Sequence, residues 1–134
     1  MVWAPLGDNP WMAITNLAAA VALGAPLVPP GPGEPGPFSL GDDGRGPSLL
    51  TGAGLVDVSS EPVVGHIQLP ADTAAIEVAS MLSIGPLSEA FVAADADTRA
   101  AAVRSVLETA EPFRVDRGWE LPGRALVLRG DRPA

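Results

Sequence analysis

Residues 38–69 read Phe38-Ser39-Leu40-Gly41-Asp42-Asp43-Gly44-Arg45-Gly46-Pro47-Ser48-Leu49-Leu50-Thr51-Gly52-Ala53-Gly54-Leu55-Val56-Asp57-Val58 and continue as an expected strand to Leu69. The order is loop, short helix, glycine stop, strand. Pro47 suits a first helical position, because its φ is already helical and its missing N–H has no partner there, while Gly54 can take the left-handed turn that ends a helix. Val56 and Val58 then alternate with Asp57 and Ser59, the period of a half-buried strand. Pro62 interrupts that strand and marks either a bulge or an exposed edge. Beyond it Val63, Gly65, Ile67 and Leu69 share a face. The stretch before this unit is too rich in glycine and proline to carry a sheet alone, and the stretch after it is helical until a second strand near the C-terminus. The sheet is therefore expected to rest on residues 56–69.

Working outward, Met1-Val2-Trp3-Ala4 reads as the last residues of a strand running into the turn residues Pro5, Gly7, Asp8 and Asn9. A helix follows with Asn9 as N-cap, Pro10 at its first position and Ile14, Leu17, Ala18 and Val21 on one face, stopped by Gly24. Residues 25–37 hold six prolines, which remove backbone donors and predict an irregular crossing. Downstream, Asp72 is expected to cap a helix to about Ile84 with Ala75, Ile76, Val78, Ala79 and Leu82 on its apolar side, broken by Gly85-Pro86. A short helix around Leu87, Ala90 and Phe91 comes next. Asp97 is expected to cap a third helix carrying Val103, Val106, Leu107 and Ala110, ended by Pro112. Asp116-Arg117-Gly118 reads as a turn and Arg124 to Arg129 as the final strand. Periodicity thus predicts an α/β chain with at least two strands and four helices.

A chain of 134 residues suits one modest domain, and 22 of its apolar residues are alanine, so its core must be shallow. Fifteen glycines and fifteen prolines concentrate between Gly24 and Gly54, where irregular structure is expected. A net charge of −8 with no basic patch opposes nucleic-acid binding, which needs cations to displace counterions from phosphate. Without cysteine there is no disulfide, thiolate nucleophile or Cys-x-x-Cys zinc site. The apolar run from Trp11 to Leu23 lacks the basic start of a secretory signal, since the first basic side chain is Arg45, and it is too short to span a bilayer. A cytoplasmic protein is expected, with no membrane partner.

Several stretches, in this order, resemble the last third of a class I S-adenosylmethionine-dependent methyltransferase of the small-molecule branch. They are Val2-Trp3-Ala4-Pro5 with Asn9-Pro10-Trp11-Met12, Pro37-Phe38-Ser39-Leu40, the Gly54-Leu55 helix ending before Val56-Asp57-Val58, Gly85-Pro86-Leu87, and Leu121-Pro122 before an apolar strand. The resemblance implies the C-terminal part of a Rossmann-like fold, in which the last two strands pair antiparallel at one side of an otherwise parallel sheet and inserted helices form a lid over the substrate. It implies a single partial domain: a strand end and lid helix over 1–24, a Pro/Gly-rich linker over 25–46, helix and strand over 47–69, helices over 70–112 and the final strand over 113–134. No acidic residue followed by a Gly-x-Gly-rich turn after a buried strand occurs. S-adenosylmethionine is therefore the implied cofactor but its binding half lies upstream, and the chain alone is expected to be inactive. The implied partner is a small-molecule methyl acceptor. With the upstream strands missing, one side of the sheet is expected to be unpaired and the isolated chain to form a homo-oligomer or aggregate. A different class of reading is a non-catalytic α/β module that pairs an exposed strand edge with another chain.

Among chemistry-bearing residues, His66 is the only side chain whose ordinary pKa lies near neutrality and so the one candidate base, although no carboxylate at suitable spacing marks it and a structural role is commoner. Trp3, Trp11 and Met12 offer flat or polarisable apolar faces for a sulfonium or an apolar acceptor, with core packing as the ordinary alternative. Trp11 stands first because the resemblance puts it at the start of the lid helix, and Met81 and Phe91 are candidates for the same cavity. Asp42-Asp43 with Glu34 lacks a regular third metal ligand and reads as a solvated turn. Gly41-Asp42-Asp43-Gly44-Arg45-Gly46 lacks the strand and the Lys-Ser/Thr of a phosphate cradle. Neither is assigned a function.

Overall fold

The computed structural model describes residues 1–28, 34–42 and 44–134. Four strands, β1 (Val2–Trp3), β2 (Val56–Pro70), β3 (Arg114–Val115) and β4 (Gly118–Asp131), join five helices, α1 (Pro10–Leu23), α2 (Arg45–Gly52), α3 (Ala74–Ile84), α4 (Ser88–Ala93) and α5 (Ala96–Thr109). The class is α/β. The sheet is antiparallel in the order β1-β4-β2, with β3 also paired to β4. The strand at the centre is thus β4, and β2 lies at an edge. Among the described residues no helix is long and apolar enough to cross a membrane.

The chain divides into two compact units. In the first, residues 1–9, 30–65 and 122–134, β1 lies antiparallel to β4 with Val2 opposite Leu126 and Trp3 opposite Ala125. Asn9 fixes this pairing. Fully buried, it donates to the Ala4 and Pro5 carbonyls at 3.0 and 3.1 Å, and its Oδ1 accepts from Arg124 N at 3.0 Å. Two glycines permit close approach. A Cβ on Gly41 would lie 2.6 Å from the Trp3 carbonyl oxygen, and one on Gly46 in α2 would lie 2.5 Å from Leu128 Cδ1. Asp42 supplies the helix entry instead of Pro47, its Oδ1 accepting from Gly44 N and Arg45 N; Pro47 is the third residue of α2, not the first. Gly54 is left-handed at φ 86°, as its place after the helix predicts. Asp57, at φ 49°, breaks the expected Val56/Val58 alternation, and Val56 is exposed.

Pro62 lies inside a continuous β2 rather than ending it, which an edge strand tolerates because its outward N–H needs no partner. The single face proposed for Val63, Gly65, Ile67 and Leu69 is covered only at its end: Val63 is exposed while Leu69 is buried.

In the second unit, residues 10–29 and 66–121, α5 packs against α1 and α3, and α3 against α4. The α1–α5 contact uses small side chains, Ala18, Ala19, Ala102 and Val106, all buried, and Ser105 Oγ donates to the Ala18 carbonyl at 3.3 Å. The apolar face expected for α1 is accordingly corrected: Leu17 and Val21 are exposed, and Trp11, Thr15 and the alanines are buried. In α3, Ala74, Val78 and Leu82 are buried while Ala75 and Ile76 face outward. The cap of α3 falls on Thr73, one residue beyond Asp72. That of α5 is Asp95 rather than Asp97, its carboxylate accepting from Thr98 N at 2.7 Å. The Thr98 amide and hydroxyl hold the Asp95 carboxyl below its ordinary pKa.

Asp116 and Arg117 turn β3 into β4, and Gly118 opens β4 at φ 144°. The final strand therefore starts six residues before Arg124. Residues 25–28 and 34–37 carry no helix or strand; the rest of the proline-rich stretch, 29–33, lies outside the described residues.

Candidate functional site

The second unit carries an open groove of about 800 Å³ between α3 and α5. One wall is the outward face of α3, with Ala75, Ile76, Ala79, Ser80 and Ser83 at helical spacing. The other is α5, with Ala100, Val103 and Leu107 flanked by Arg99, Arg104 and Glu108. Phe91, Glu111 and Trp119 complete the lining. The serines add little polarity, since Ser80 and Ser83 hydroxyls donate to the Ile76 and Ala79 carbonyls of their own helix at 2.9 and 2.7 Å. The walls are thus apolar and the charge lies along α5.

That charge is ordered. Arg99 donates to the Val92 carbonyl at 3.3 Å, and among the described residues Arg104 has no hydrogen-bond or ion-pair partner. Toward the C-terminal end of α5 come Glu108 and then Glu111, the latter 3.8 Å from Arg114 in an exposed pair that contributes little to stability. Arg114 and Trp119 are cross-strand partners in the β3–β4 hairpin, which explains why the guanidinium lies 4.5 Å from the indole centroid. Trp119 is 7% exposed, and its buried Nε1 has no hydrogen-bond partner among the described residues. Such an orphaned donor costs about 1–3 kcal/mol.

Of the candidate substrate residues, the structure brings only Phe91 to this groove. Trp11 is 7% exposed in α1 and does not line it. Met12 is half-buried, its Sδ accepting from Asn16 Nδ2 at 2.8 Å, and Met81 is half-buried in α3. Trp3 is half-buried on β1 in the first unit, and His66 is exposed on β2. Arg99, Arg104 and Trp119 were not singled out from the sequence. A cation flanking the Val103/Leu107 stripe was the signal for the first two, and a tryptophan just after the Arg117-Gly118 turn for the third.

At Gly41, Gly44, Arg45 and Gly46 the backbone has structural roles. Gly41 and Gly46 are glycines because Trp3 and Leu128 approach them, and the N–H groups of Gly44 and Arg45 are directed to Asp42. Asp43 lies outside the described residues, so the Asp42-Asp43 pair is described only through Asp42. Among the described residues no group of three or more His, Asp or Glu side chains is placed to hold a metal ion.

No protein-family model, curated protein or solved structure matches this chain.

Proposed function

We propose that this chain is the acceptor-side, C-terminal part of an S-adenosylmethionine-dependent methyltransferase acting on a small molecule, with the cofactor held by residues outside it. One observation carries the reading: β4 lies between β1 and β2 and runs antiparallel to both, so the two long strands pair as the family's last two do. The helices after β2 supply an apolar groove, which fits a lid that desolvates and orients an acceptor. Catalysis of that kind rests on positioning, and no residue of this chain is assigned as the base. A cytoplasmic location goes with this reading.

The test is methyl transfer by this chain together with the polypeptide encoded immediately upstream of it. The combined protein is expected to bind the cofactor, and Val103→Asp in the groove is expected to raise KM for the acceptor or lower kcat. An upstream coding region without an acidic-Gly-x-Gly turn after a strand overturns the reading.

A second reading, a non-catalytic module that pairs its strand edge with a partner, is favoured by β2 itself. It runs fifteen residues along an edge, with Val63 and Val64 exposed and no partner strand on its outer side among the described residues. Methyl transfer by the combined protein distinguishes the two, and light scattering tests the edge pairing itself, which requires a dimer or larger species of this chain or a complex with another.

A further inference from the structure

We infer that the α3–α5 groove binds a flat apolar small molecule bearing a single acidic group, with the acid at the Arg99/Arg104 end and the apolar body running toward Trp119. This deepens the acceptor-side reading above by naming the class of acceptor. Shape is the first ground. From Arg99 to Leu107 the α5 face extends about 12 Å at 1.5 Å per residue, the length of two or three fused or linked rings, and the volume of about 800 Å³ lies in the range of small-molecule sites.

Charge order is the second ground. In a protein of net charge −8, two of only eight cations, Arg99 and Arg104, flank this apolar strip ahead of Glu108, and Arg104 has no partner among the described residues. Glu108 and Glu111 at the other end repel a second acid and so orient the molecule.

Anilinonaphthalene sulfonate and its neutral parent phenylnaphthylamine test this, because they share the ring system and differ only in the acid. Titrated into the full chain without cofactor and followed by dye fluorescence, the sulfonate is expected to saturate at one site, at least about tenfold tighter than the neutral dye. In R99Q/R104Q that preference is expected to disappear with the neutral dye unaffected. Val103→Glu is expected to weaken both dyes, with far-UV circular dichroism and the thermal midpoint establishing that each variant is folded. Equal affinity for the two dyes in the unmodified chain overturns the acid preference. Undiminished binding of both by folded Val103→Glu, or no saturable binding at all, overturns the site. Because no cofactor is present, either failure leaves the methyltransferase reading standing, and that reading fails separately by the upstream test.

Discussion

Gly118→Ala tests whether β4 is the strand on which the second unit is built. Gly118 sits at φ 144°, a conformation that costs a residue with a Cβ about 1–3 kcal/mol. The added carbon would also lie 2.8 Å from Ala71 N and closer still to the Leu69 carbonyl oxygen, both backbone atoms that no rotamer change can move aside. Relief requires β2 and β4 to part where Ala71 N donates to the Arg117 carbonyl at 2.9 Å, and such overpacking adds about 1–3 kcal/mol. The two together come to about 2–6 kcal/mol, a large share of the roughly 5–15 kcal/mol that holds a domain folded. With a urea slope of about 1–3 kcal/mol/M, the midpoint should fall by about 1–3 M at unchanged slope. Gly52→Ala is the control: nothing lies within 4 Å of its Cβ, and a gain of about 0.4–1 kcal/mol is expected. A loss of less than about 1 kcal/mol for Gly118→Ala would refute the reasoning.

Trp11→Ala should cost about 3–5 kcal/mol in chemical denaturation, because the ring is buried within its unit; near-unchanged stability would return Trp11 to the list of cavity residues. Asn9→Ala should cost about 1–3 kcal/mol by stranding Arg124 N and the Ala4 carbonyl, whereas Asp8→Ala, which removes only an exposed ion pair with Arg124, should stay within about 1 kcal/mol. Asp95 has a pKa lowered by its bonds to Thr98, so its contribution is fully present above the ordinary aspartate range and is lost as pH falls through the lower folded value. Thermal midpoints of Asp95→Asn against pH should show a shallower acid limb than the unmodified chain, and parallel limbs would contradict the cap.

The sequence made the alternation of helices and strands legible, along with the glycine stop at Gly54 and the edge position that Pro62 permits, because each has a local cause. It hid the central role of β4. The alternation read from the sequence began at Arg124, after Pro122, yet Pro122 falls between the part of β4 that pairs with β3 and the part that pairs with β1. Its missing N–H therefore interrupts neither pairing. The buried face of α1 was hidden for another reason. That helix is apolar nearly all round, so periodicity favoured its largest side chains, whereas the contact with α5 selects alanines that let two backbones approach. The caps at Asp72 and Asp97 missed by one and two residues: Asp95 offers a carboxylate equivalent to that of Asp97, whereas Thr73 takes the cap position of α3 with its hydroxyl donated to Glu77. For the groove, Phe91 and the Val103/Leu107 stripe were legible. Arg99, Arg104 and Trp119 were not, since their proximity depends on how α3, α5 and the β3–β4 hairpin pack.

The central claim is that this chain presents an acceptor groove and no cofactor site. Calorimetric titration of S-adenosylmethionine into the purified 134-residue chain addresses it most directly. The account predicts no heat beyond dilution up to millimolar cofactor, because the glycines at 41 and 46 accommodate backbone and Leu128 and the backbone N–H groups of Gly44 and Arg45 are directed to Asp42. Saturable one-to-one binding at micromolar concentration would contradict it and would mean that the chain holds a cofactor site of its own.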